Sequence, residues 1–65
     1  MVKKVYEVIE LLETNGWTYI GTRGDHHKFK KEGVKRFVIV SGARSDTVPA
    51  GTLAAILRES GLKDQ

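Results

Sequence analysis

Cysteine is absent from this 65-residue sequence, which removes disulfides, thiolate metal sites and cysteine nucleophiles together. With no covalent staple, a domain this small depends on compact packing, and an intracellular, cytoplasmic location is the expectation. No apolar run approaches the ~20 residues that a membrane-spanning helix requires. Repeats, low-complexity tracts and linker-like stretches are also missing. The basic start Met1-Val2-Lys3-Lys4 leads into amphipathic sequence carrying Glu7, Glu10 and Glu13, not into the apolar core of a signal peptide. The length suits one domain over residues 1–65. A chain this short buries only about 60% of its unfolded surface, so its core is small.

Acidic residues are scarce in one segment. Between residues 23 and 44 seven basic side chains (Arg23, Lys28, Lys30, Lys31, Lys35, Arg36 and Arg44) face only Asp25 and Glu32, a net of +5. The rest of the chain, with four basic and six acidic residues, carries −2, and the total is +3. Such asymmetry is the electrostatic footprint of a phosphate-rich partner. A solvated basic hairpin that only aids solubility is the plainer alternative.

Val2, Val5, Val8, Ile9 and Leu12 recur at helical spacing and predict an amphipathic helix over 3–14. Asn15-Gly16 supplies its left-handed stop. Trp17 to Thr22 is aromatic and β-branched and reads as a strand. Gly24-Asp25 is a tight turn into a second strand over 26–31, and Glu32-Gly33 a turn towards a third over 36–40. Ser41 to Thr47 is a polar loop. Pro49 suits the first position of a second helix, with Leu53, Ile56 and Leu57 on its buried face and Gly61 and Leu62 closing it. The order is αβββα, an α+β fold in which a three-stranded antiparallel sheet carries both helices on one face. The other face is left for function.

Neighbouring residues of a strand point to opposite faces. If Phe29 faces the helices, His27 shares its side, while His26, Lys28 and Lys30 project from the open face. His26 and His27 are then poorly placed to grip one metal ion, no cysteine or carboxylate set completes a site, and neither metal nor cofactor is expected. His27 reads as a packing residue with a satisfied ring nitrogen. His26 is either an idle surface histidine or a proton carrier, because imidazole exchanges protons near neutrality. The fitting chemistry is attack of the RNA 2′-hydroxyl on its adjacent phosphate. That reaction needs a base, an acid and positive charge on the phosphoryl oxygens, and DNA lacks the nucleophile. Arg23, Lys28, Lys30, Lys31 and Arg36 are the candidate RNA-binding residues, and His26 the candidate catalytic one. Trp17, Tyr19, Phe29 and Phe37 could stack on bases, though Trp17 and Phe29 fit a core better. The N-terminus of the second helix, with Gly51, is a further phosphate-friendly element, but any helix start is.

Asn15-Gly16-Trp17, Arg23-Gly24-Asp25-His26-His27-Lys28-Phe29 and Val48-Pro49-Ala50-Gly51-Thr52-Leu53-Ala54-Ala55-Ile56-Leu57-Arg58 with Gly61-Leu62 resemble the HicA toxin family of bacterial toxin–antitoxin modules over nearly the whole length. Gly-x-His-His-x-Phe with a downstream Pro-x-Gly-Thr-Leu is a fairly specific pair. The resemblance implies a double-stranded-RNA-binding-domain-like topology and a metal-independent mRNA interferase, with His26 catalytic and a HicB-type antitoxin over the active surface. Asp25 stands where the family usually has serine, and Ser41-Gly42-Ala43 where many members have proline and a further histidine. The first departure adds a negative charge beside the phosphate site. The second leaves the general acid open among His27, Lys28 and water. RNA binding without cleavage is the alternative function, and a pure protein-interaction domain a third.

Overall fold

The computed structural model describes residues 3–62, so Val2 of the first apolar stripe lies outside the described residues. The elements are β1 (Lys3–Lys4), α1 (Val5–Thr14), β2 (Thr18–Arg23), β3 (His26–Lys30), β4 (Val38–Ser41), β5 (Thr47–Val48) and α2 (Ala50–Ser60). β2, β3 and β4 form the antiparallel meander expected, with β3 in the centre. Val5, Val8, Ile9 and Leu12 of α1 and Leu53 and Ile56 of α2 meet Trp17, Phe29, Val38 and Val40 in one buried core. Both helices therefore cover the same side of the sheet.

Most differences from the sequence expectation sit at the element ends; the largest is a second, two-stranded sheet of β1 and β5. Helix α1 begins at Val5, not residue 3, because Lys3 and Lys4 pair with Val48 and Thr47. Its first amides are taken from outside the helix: Val5 N–H donates to the Asp46 carbonyl (2.8 Å) and Tyr6 N–H to that of Arg44 (3.1 Å). Glu7 reaches back to accept from Lys4 N–H at 2.7 Å. The polar loop thus ends in a strand, β5. The third strand starts at Val38 instead of 36, and the second stops at Lys30. Pro49 is the N-cap of α2, not its first turn, since its ψ of 151° is still extended; the residue before it, Val48, is held in strand conformation as proline favours.

Both helices end in the same way. Gly16 follows α1 with φ +91°, and Trp17 N–H reaches the Leu12 carbonyl at 3.0 Å. Gly61 follows α2 with φ +79°, and Leu62 N–H reaches Leu57 at 2.7 Å. These six-to-one bonds with a left-handed glycine are Schellman stops, and each brings a buried apolar residue, Trp17 or Leu62, back against the core.

The β2–β3 register is broken once. Tyr19 pairs with Phe29 but Gly21 pairs with Lys28, so Ile20 is an extra residue, a β-bulge. Strict alternation from Tyr19, whose ring lies 5.6 Å from that of Phe29 on the helix side, would send Arg23 to that side too. The bulge resets the alternation, and Arg23 emerges opposite His26 on the open face.

Candidate functional site

The open face is built by alternation on three strands. Arg23 and Gly21 of β2, His26, Lys28 and Lys30 of β3, and Ile39 and Ser41 of β4 share it, as the pairings His26↔Ser41 and Lys28↔Ile39 require. At its centre is a cleft of about 420 Å³ lined by Gly21, Thr22, Arg23, His26, Lys28 and Ile39. Gly21 leaves the cleft open because it carries no side chain at the position opposite Lys28. Two cations and one imidazole therefore share one concavity.

His26 has a side chain 60% exposed. Its Nδ1 lies 3.0 Å from Ser41 Oγ, and its Nε2 lies 4.0 Å from Asp25 Oδ1, beyond hydrogen-bond range. The ring is thus engaged on one nitrogen and free on the other. Lys28 holds its ammonium 4.1 Å from the centre of the Phe37 ring, and that of Lys30 lies 5.9 Å from it. An aromatic face attracts cations in this way, and it gathers the two lysines on one side.

His27 points the other way, into the protein, with 9% of its surface accessible. Its Nε2–H donates to the Gly42 carbonyl at 2.8 Å, which leaves Nδ1 to accept from the Thr22 hydroxyl at 3.4 Å. Both ring nitrogens are occupied, and the imidazole is absent from the cleft. Gly42 is tied a second time, its N–H donating to the Asp25 carbonyl at 2.8 Å. The end of β4 is therefore clamped to both sides of His26.

Of the basic residues singled out from sequence, Arg23 and Lys28 line the cleft with His26, and Lys30 continues the same face. Lys31 leaves it: its stem passes over Gly16 at the end of α1, where a Cβ would come within 3.4 Å of Lys31 Cε. Arg36 is exposed in the connection between β3 and β4. Phe37, expected as a possible base-stacking residue, lies on the open face beside the two lysines; sequence reasoning missed Ile39 and Ser41 as parts of that face. The signal was present, since Val38 and Val40 are apolar and inward, and alternation then turns 37, 39 and 41 outward.

A family model described as the HicA toxin of bacterial toxin–antitoxin systems matches residues 5–62. No curated protein matches the chain. The match spans both helices and the whole sheet that carries the cleft, and the chain belongs to this family.

Proposed function

We propose that this HicA-family toxin is an endoribonuclease, an mRNA interferase acting in the cytoplasm, that uses His26 as general base and Arg23 and Lys28 as phosphate-binding cations. The observation that carries the reading is the outward imidazole sharing one cleft with those two cations. An RNA strand laid across the face meets a base for its 2′-hydroxyl and two positive charges for the developing phosphorane. The route uses the substrate's own nucleophile and requires no metal. The leaving 5′-oxygen takes its proton from water or from Lys28; His27, turned inward with both nitrogens engaged, is not within reach. Lys30 extends the phosphate track, with Arg36 at its margin; Lys31, seated over Gly16, takes no part in it. A HicB-type antitoxin would silence the protein by covering this face.

The test is cleavage of single-stranded and structured RNA by the purified chain, followed by His26→Ala. Loss of one positioned general base lowers the rate about 10²- to 10⁴-fold, and the wild-type products carry 2′,3′-cyclic phosphates. An alanine variant that cuts as fast as the wild type overturns the assignment.

A second reading, RNA binding without cleavage, is favoured by Asp25, whose carboxylate lies on the Nε2 side of His26. Under that reading the wild-type protein retards RNA in a gel and leaves it intact.

A further inference from the structure

We infer that Ser41 is the positioning residue of His26: its hydroxyl accepts the Nδ1–H and so keeps Nε2 unprotonated and facing the RNA. Ser41 takes this role within the endoribonuclease reading above and depends on it.

The geometry is specific. Ser41 is the last residue of β4 and the register partner of His26 on β3, so both side chains rise from the same face. The Oγ–Nδ1 separation is 3.0 Å. The hydroxyl cannot drift far, because the next residue is held at both ends. Gly42 N–H is bonded to Asp25 and Gly42 carbonyl to buried His27, each at 2.8 Å. Gly42 also adopts φ +111°, with Asp46 Oδ2 and Val5 Cγ2 only 3.3 and 3.4 Å from where a Cβ would stand. Only glycine suits this position, and the clamp it forms sets the height of Ser41 beside His26. The inward histidine thereby acts on the outward one.

The chemistry explains why a hydroxyl at Nδ1 matters. Neutral imidazole carries its proton on one nitrogen or the other, and the partner of one nitrogen selects which. With the proton on Nε2 the ring has nothing to offer a 2′-hydroxyl, and Asp25, on that side, favours this unproductive tautomer. With the proton on Nδ1, held by Ser41, the Nε2 lone pair takes the 2′-hydroxyl proton as the O2′–P bond forms and the P–O5′ bond breaks. The 5′-oxygen leaves with the bonding electrons and takes a proton from water, and the imidazolium returns its Nε2 proton to the resulting hydroxide. Nδ1–H is present in both the neutral and the charged ring, so the bond to Ser41 persists through the cycle. The two histidines are opposite tautomers: Nδ1–H for His26, Nε2–H for His27.

The experiment combines ¹⁵N NMR of the imidazoles, at a pH where both rings are neutral, with single-turnover and steady-state cleavage. His26 of the wild type is expected in the Nδ1–H form and His27 in the Nε2–H form. Ser41→Ala shifts only His26 towards Nε2–H and lowers kcat about 3- to 10-fold, the range of one lost hydrogen bond. KM stays within about twofold, because no RNA contact is removed. Ser41→Thr, which restores a hydroxyl on a residue strands accept, recovers both readings. Ser41→Ala with unchanged kcat, or His26 already Nε2–H in the wild type, overturns the role of Ser41 while leaving the nuclease reading intact. Full cleavage by His26→Ala overturns both.

Discussion

At the residue scale the unusual member of the site is Asp25. It occupies the second position of the Gly24-Asp25 turn, where Gly24 takes φ +63° and a short polar side chain suits the next place. Its conformational task is met equally by serine, but its charge is not neutral in effect. The carboxylate stands 4.0 Å from His26 Nε2, so under the proposed reading it would repel an RNA phosphate and favour the tautomer that cannot accept a proton. Asp25→Ser is expected to raise single-turnover cleavage about 3- to 10-fold at low salt, with the gain shrinking as salt screens the charge. Equal rates for the two proteins across a salt series would remove Asp25 from the account. Serine also keeps the hairpin, so the comparison is not clouded by folding.

At the element scale, strand β3 decides most of the outcome. Its five residues alternate exposed and buried without exception, which puts His26, Lys28 and Lys30 on one side and His27 and Phe29 on the other. This was legible directly, because strand periodicity and a single large apolar residue, Phe29, set the phase. The partners of His27 were not legible, since its bond to Gly42 joins residues fifteen apart in the chain. Removing that imbalance-free arrangement has a measurable cost. His27→Ala removes the partner of the part-buried Gly42 carbonyl and is expected to lower stability by about 1 kcal/mol, as measured by urea unfolding. The same variant also loosens Ser41, so its cleavage rate falls even under conditions where it is fully folded. Normal stability in His27→Ala would show that the bond to Gly42 does not anchor β4.

Two other elements show where pattern reading stops. The β1–β5 pair has two residues on each side, too few for any periodicity to register, and its existence displaced the start of α1. The bulge at Ile20 leaves no compositional mark apart from Gly21 beside it, yet it decides on which face Arg23 appears. Here register is settled by what packs: Tyr19 against Phe29 on the helix side, and a two-residue turn that pins Arg23 to His26.

At the scale of the whole molecule, charge is sorted by side. Glu7, Glu10 and Glu13 are exposed on α1, on the helical layer, while Arg23, Lys28 and Lys30 occupy the opposite face of the sheet. This separation orients an approaching polyanion towards the cleft. RNA affinity is expected to fall log-linearly with salt. Lys28→Ala and Lys30→Ala should each reduce the slope by about 0.7 for a single strand, one released counterion contact apiece, in fluorescence-anisotropy titrations. Lys31→Ala, on a side chain that lies over Gly16, should change the slope less. An affinity indifferent to salt would refute nucleic acid as the partner.

Periodicity, glycine stops and charge spacing were enough to establish the αβββα order, the two faces of β3 and the outward histidine among cations, because each depends on residues close together in the chain. The grouping of Arg23 with His26, the seating of Lys31 away from the face, and the Ser41–His26 contact were decided only on folding. They depend on strand register, on one inserted residue, and on bonds that a glycine at φ +111° makes possible between segments far apart in sequence.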